Sequence, residues 1–169
     1  RTFTPMMKQQ GHGAFVNVAS LAGLLKAPSM SSYNATKAAV VALSETMHFE
    51  LMPYGIGVTA LCPGFFRTNL NHGMKTSDPD MLKFVDKVFE ASALDADDIA
   101  EAAYKAVLKN EKICNPHPAG RRAYFFKKYV PFLFNKGMLK MAEGLKKREQ
   151  QRKSFATGDS QSVMGNGKA

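Results

Sequence analysis

Three residues have the types and the spacing for acid–base chemistry on an oxygen atom. Ser20 follows the apolar run Ala14-Phe-Val-Asn-Val-Ala19, Tyr33 comes thirteen residues after it, and Lys37 four residues after that. On a helix, positions four apart share a face, so the phenol of Tyr33 and the ammonium of Lys37 would meet. A free phenol titrates near about pH 10 and is a poor base at neutrality. A neighbouring ammonium favours the phenolate. Ser20, delivered from a strand end, could hydrogen-bond the same reacting oxygen and stabilise the charge that develops on it. The set suits an alcohol/carbonyl interconversion, in which a proton moves on oxygen while a hydride moves on carbon. It suits serine nucleophile chemistry less well, because Ser20 lacks a Gly-x-Ser-x-Gly elbow and no His/Asp pair accompanies it. A Tyr-x-x-x-Lys spacing taken singly is weak; the three residues in register, followed by a strand that ends in Pro63-Gly64, form a more specific signal.

The elements that must position these residues follow from the hydrophobic pattern. Ala14 to Ala19 is apolar at most positions and bounded by Gly13 and Ser20, which predicts a strand buried on both faces. Gly23 and Pro28 mark an irregular connection. A helix is expected from Ser31 or Ser32, both good N-caps, to about Leu51, where Pro53 and Gly55 stop it. Its many alanines allow close approach to a sheet or a partner helix. Ile56 to Cys62 reads as a second buried strand. Strand, helix, strand is a βαβ unit with parallel strands and a right-handed crossover. Ligands of such sheets lie beyond the carboxyl ends of the strands. Ser20 and Pro63-Gly64 both fall there.

Upstream, residues 1–10 carry Phe3, Met6 and Met7 on a helical face that Gly11 would end. Downstream, Asp78-Pro79 starts an expected helix through about Ala91, with Leu82, Val85 and Phe89 as its stripe. Asp95 to Asn110 is a further helix with acidic residues in its first turn, and Lys112 to Asn115 a short third strand. Gly120 is expected to close the regular part. The predicted fold class is therefore α/β: a partial, Rossmann-like, doubly wound parallel sheet with a helical basic extension.

The net charge of +9 belongs almost entirely to that extension. Residues 121–153 hold eleven Lys/Arg against two Glu, and the rest of the chain balances at twelve of each sign. The bases alternate with Tyr124, Phe125, Phe126, Tyr129, Phe132, Leu133 and Phe134. Three uses compete: packing or oligomer contact first, an anionic membrane surface second, and nucleic acid last, since no RNP-like or zinc-finger pattern is present. Pro131 and Gly137 are expected to interrupt a single helix, and residues 154–169, rich in Ser and Gly, to be a disordered tail. The organisation predicted is a domain over 1–120, an extension over 121–153 and a tail beyond.

Cys62 and Cys114 lie far apart, and His12, His48, His72 and His117 show no metal-ligand spacing, so no disulfide framework or metal site is implied. With no apolar leader after Arg1 and no apolar run of about eighteen residues, the expected location is cytoplasmic, with possible peripheral contact to a membrane.

At these motifs the sequence resembles the short-chain dehydrogenases/reductases. Asn17-Val-Ala-Ser20, Tyr33-Asn-Ala-Thr-Lys37 and Pro63-Gly-Phe-Phe-Arg-Thr68 are similar, in order and spacing, to that family's active-site serine, its YxxxK pair and its PGxxxT nicotinamide loop. The resemblance covers about residues 1–118. It implies Tyr33 as proton donor and acceptor, Ser20 as orienter of the substrate oxygen, and Lys37 as the group that favours the phenolate and holds the nicotinamide ribose. Pro63, Gly64 and Thr68 would line the nicotinamide end of NAD or NADP, the choice between them being left open. The family's TGxxxGxG loop and NNAG strand have no counterpart in the sequence. The expectation is accordingly the C-terminal portion of an NAD(P)-dependent oxidoreductase, a homo-oligomer when intact, acting on a small hydroxyl or ketone substrate. Phe65, Phe66, Phe84 and Phe89 suggest that substrate is apolar. The portion alone is expected to be inactive, and the alternative is a non-enzymatic dimerisation or membrane-surface module.

Overall fold

The computed structural model describes residues 2–67, 87 and 90–164, with residues 152–164 as backbone alone. It divides into two compact units, Arg1–Phe125 and Phe126–Ala169.

The first unit is built on three parallel strands in the order β1 (Gly13–Val18), β2 (Ile56–Leu61), β3 (Ile113–Cys114). The register runs from Gly13 opposite Ile56 to Val18 opposite Leu61, so β1 and β2 end level. Helix α1 (Phe3–Gln10) precedes β1 and ends, as its sequence predicts, at Gly11 in the left-handed conformation (φ 77°). Helix α3 (Ser31–Leu51) is the crossover between β1 and β2. It has no interior glycine or proline, and a 3₁₀ turn over Met52–Tyr54 with Gly55 at φ 71° ends it. Neither Ser31 nor Ser32 caps it: Met30 occupies the N-cap position, and its carbonyl takes the Asn34 N–H at 2.8 Å.

Two helices cover the two faces of β2. On one face α3 packs Leu51 on Ile56 and Val58, and Val41 on Ala60 and Cys62. On the other, α4 (Ala96–Leu108) packs Ile99 and Ala106 on Leu61 and Cys114. Ile56, Val58 and Cys62 have almost no exposure, and burial of Ile56 and of Val58 contributes roughly 1.5–3 kcal/mol each relative to exposure. Polar ties set the register of α3 on the sheet. The Asn17 amide donates to Ser44 Oγ at 3.0 Å, and His48 Nδ1–H donates to the Val58 carbonyl at 2.9 Å. Asp95 caps α4 in a reciprocal capping box with Asp98, which holds its carboxyl below the usual carboxylate range, chiefly through the Asp98 backbone N–H.

Three expectations are corrected. Strand β1 is not buried on both faces: Val16 is 40% and Val18 60% exposed. Gly13, Phe15 and Asn17 face α3, but α4 lies over β2 and β3 and leaves the Ala14, Val16 and Val18 face of β1 bare. Gly120 does not end the regular structure. It is buried inside α5 (Pro118–Tyr129), where a Cβ would stand 2.8 Å from Asn115 Oδ1 and about as close to Leu21. Nor do Gly137 and residue 154 end a helix: α6 runs from Pro131 to Met164. One glycine costs a helix only about 1 kcal/mol, and each residue added to a formed helix gains a backbone hydrogen bond. The break expected at Pro131 is present, between α5 and α6. The helix expected from Asp78 lies, apart from its last residues, outside the described residues.

Candidate functional site

The carboxyl ends of β1 and β2 are stitched together by backbone. Ala19 N–H donates to the Leu61 carbonyl at 2.8 Å, and Leu21 N–H donates to the Pro63 carbonyl at 2.8 Å. These bonds carry the pairing of the two segments beyond the strands, as far as Leu21 and Pro63. Ser20 is thereby placed next to the Pro63-Gly64 turn, as the βαβ argument required.

Ser20 opens α2 (Leu21–Leu25), a short helix within the segment expected to be irregular. Its Oγ accepts the Ala22 N–H at 3.1 Å. A hydroxyl has one donor and two acceptor sites, so the cap fixes the oxygen and leaves the O–H able to donate. Helix α2 lies against α3 at Gly23, where a Cβ would stand 2.7 Å from the backbone carbon and oxygen of Lys37. Only glycine permits that approach, and it brings the serine helix against the turn that carries the tyrosine and lysine.

Tyr33 and Lys37 lie in the first two turns of α3 with Lys37 Nζ 5.9 Å from the Tyr33 ring centroid. The ammonium donates to the Val18 carbonyl at 3.1 Å, which anchors it at the end of β1, two residues before Ser20. Tyr33 is 46% exposed, so its ring stands at an open surface. Among the described residues no hydrogen bond joins its hydroxyl to Ser20. Asn34, between them on the chain, is buried and donates to the Ala27 carbonyl at 2.6 Å, which holds the α2–α3 connection down.

The turn after β2 is clamped from three directions. Pro63 is held by Leu21, as above. Arg67 N–H donates to the Leu94 carbonyl at 3.0 Å, and the Arg67 guanidinium pairs with Asp95 at 3.5 Å. Between them stands His117, whose spacing from the other histidines implies no metal site. Gly64 N–H donates to its Nδ1 at 3.1 Å and its Nε2 faces the Phe65 carbonyl at 2.8 Å. Since Nδ1 accepts, the proton resides on Nε2, and the neutral ring bridges two successive residues of the loop. A residue 53 positions away thus sets the backbone of the Pro63-Gly64 turn. Nothing in local spacing signals it. Phe66 packs in the core with Leu61 and Ile99, whereas Phe65 is 39% exposed. Thr68, Phe84 and Phe89 lie outside the described residues.

Cys62 sits directly beneath this arrangement. Burial pushes its thiol up to about 12, and burial also raises Cys114, whose Sγ–H contacts the Ala102 carbonyl at 3.5 Å. Both stay protonated and neither is a thiolate nucleophile near neutrality.

The likenesses to known proteins agree with this geometry. A family model for the short chain dehydrogenases matches residues 1–79. The chain is 30% identical over 140 residues to the probable oxidoreductase EphD of Mycobacterium tuberculosis, covering 78% of this chain and 24% of that protein. A short-chain dehydrogenase/reductase of Burkholderia phymatum in complex with NAD superposes with a TM-score of 0.67 at 30% identity, covering 79% of this chain and 53% of that one. A short-chain dehydrogenase of Sphingobium yanoikuyae in complex with NADPH gives 0.55 at 29%, covering 77% and 48%. The chain thus spans about a quarter of the length of that curated relative and about half of the solved structures. Motif order, parallel sheet and likeness coincide on the same residues, and together they support a member of the short-chain dehydrogenase/reductase family.

Proposed function

We propose that the chain carries the proton-handling and nicotinamide-facing part of an NAD(P)-dependent oxidoreductase that interconverts an alcohol and a carbonyl. The observation that supports this best is the convergence at the strand ends, where the Leu21 to Pro63 bond and the Lys37 to Val18 bond gather Ser20, Lys37 and the Pro63-Gly64 turn. The NAD and NADPH in the two solved relatives support a nicotinamide cofactor and leave its 2′-substituent open.

The residues present fit that end of the cofactor. Lys37 uses one donor on Val18 and retains two, Tyr33 is open to the crevice, and Pro63 and Gly64, with Thr68, form the turn that would face the nicotinamide. A nicotinamide bound beside them supplies or takes up the hydride. In reduction, Tyr33 gives its hydroxyl proton to the carbonyl oxygen, and in oxidation it removes the proton from the alcohol. The Lys37 ammonium offsets the charge left on the phenolate. Ser20, its oxygen fixed by the Ala22 N–H, donates its O–H to the same substrate oxygen. Exposed Phe65 favours an apolar substituent on the substrate.

The pyrophosphate is not provided for in the same way. The sequence contains no TGxxxGxG motif, so on this reading the chain alone binds the dinucleotide weakly and turns over little or no substrate. In the whole protein, Tyr33→Phe is expected to lower ketone reduction by about 10²–10⁴-fold with an unchanged melting temperature. Full turnover by the Tyr33→Phe enzyme would overturn the assignment.

A further inference from the structure

The basic unit over residues 126–164 turns large apolar side chains outward, and it does so among lysines. Phe126 is 44% exposed and Tyr129 61%, one turn apart on α5. At the start of α6, Phe132 is 77% exposed, Leu133 53% and Leu139 65%. At about 100° per residue, Leu139, Phe132, Lys136, Lys140 and Leu133 fall within an arc of roughly 120°. Phe134, Met138 and Leu145, which are half-buried, fall on the opposite side. The exposed arc is therefore not the inward face of the helix. It is a second apolar face, interleaved with Lys136 and Lys140 and, further along, with Glu143.

We propose that this arc of α6, together with Phe126 and Tyr129, docks on an anionic membrane surface. Its chemistry separates that occupant from the others. Residues 121–153 hold eleven basic against two acidic side chains, so a second copy of the same face would repel it, while an anionic headgroup layer attracts it. Stacked nucleic-acid bases would suit the rings of Phe132 and Tyr129, but Leu133 and Leu139 have no ring face to offer a base. A headgroup layer above acyl chains takes both kinds. Lysine stems lie along the apolar surface and keep their ammonium groups at the headgroups, and Lys128 Nζ already stands 5.2 Å from the Tyr129 ring centroid. The described helices contain no segment long and apolar enough to cross a membrane. The mode is a helix lying in the interface.

The test is co-sedimentation of the whole protein with vesicles of phosphatidylcholine alone and of an equimolar phosphatidylserine/phosphatidylcholine mixture, at low and at high salt. Binding is expected only to the anionic vesicles, weakened by salt. It should fall by about tenfold or more in Phe132→Ser/Leu133→Ser, and separately in Lys136→Gln/Lys140→Gln. All four residues are exposed, and Leu139→Ser replaces the first pair should that variant lose its helical circular dichroism. Absence of binding to the anionic vesicles overturns the proposal. So does loss with the lysine variants but not the apolar ones, because the face then recognises anions in general and not a lipid phase.

Discussion

The strand ends near Ser20 and the helices after Tyr129 show two ways of using side chains. At the strand ends the functional groups are held from behind. Ser20 is a helix cap, Lys37 is tied to the Val18 carbonyl, and the Pro63-Gly64 turn is gripped by Leu21 and His117, with Leu94 holding Arg67 just beyond it. Position is the product of that region, and every tie but the Ser20 cap crosses between elements distant in sequence. Along α6 the backbone bonds of Leu133 and Phe134 are local, to Val130, and what matters is which types share an arc. Chemistry on one oxygen needs geometry good to fractions of an ångström. Attraction to a charged surface needs only charge and apolar area on one side.

The difference can be broken first at Gly23. Gly23→Val puts a branched side chain where even a Cβ stands 2.7 Å from the Lys37 backbone, so α2 must move off α3. A stability loss of about 1–3 kcal/mol is expected in denaturant titration, together with loss of activity in the whole enzyme. No change in either would mean that the α2–α3 contact does not set the site.

His117 gives a finer separation. His117→Ala removes both bridges to the loop and is expected to raise the cofactor KM by about tenfold, with a stability loss of about 1 kcal/mol. His117→Asn keeps an acceptor for the Gly64 N–H and should recover part of the KM but not the bridge to Phe65. Equal KM values for the two variants and the parent would remove His117 from the positioning of the loop.

Cys62 reports burial under the site without touching its chemistry. Its thiol is pushed from 9.0 to about 12 in the folded protein, so the folded state holds a proton that the unfolded chain loses earlier. The contribution is fully present below pH 9.0 and declines as the pH rises toward about 12. Cys62→Ala is expected to flatten that part of the stability–pH curve, and alkylation of native Cys62 at pH 8 to track unfolding.

The smallest effect is expected in the second region. Lys136→Gln/Lys140→Gln leaves the unfolding free energy within about 0.5 kcal/mol of the parent, as exposed substitutions do. A larger loss would show that these lysines are held in place as the strand-end residues are.

Much of the strand-end region was legible from residue order. The βαβ unit, the helix from Ser31 to Leu51 and the helix that begins at Asp95 follow from apolar runs, alanine content, first-turn acids and Gly/Pro stops, which act within a few residues. The half-bare face of β1 was not legible, because Ala14, Val16 and Val18 are as apolar as a doubly covered strand would be. Helix α2 was hidden by Gly23 and Pro28, which read as breakers. The glycine was kept for its contact with Lys37 instead.

The amino-acid sequence by itself determined the chemistry on offer: a phenol and an ammonium one helical turn apart, a serine at a strand end, and a basic aromatic segment set off from a neutral domain. Those are matters of residue type and short spacing. Only the tertiary structure decided that Lys37 reaches the end of β1, that His117 bridges Gly64 and Phe65, and that Phe132, Leu133 and Leu139 point outward with Lys136 and Lys140. The physical reason is range. Propensity and periodicity act over one or two turns, whereas a hydrogen bond between residues 53 apart exists only once the sheet has brought their loops together.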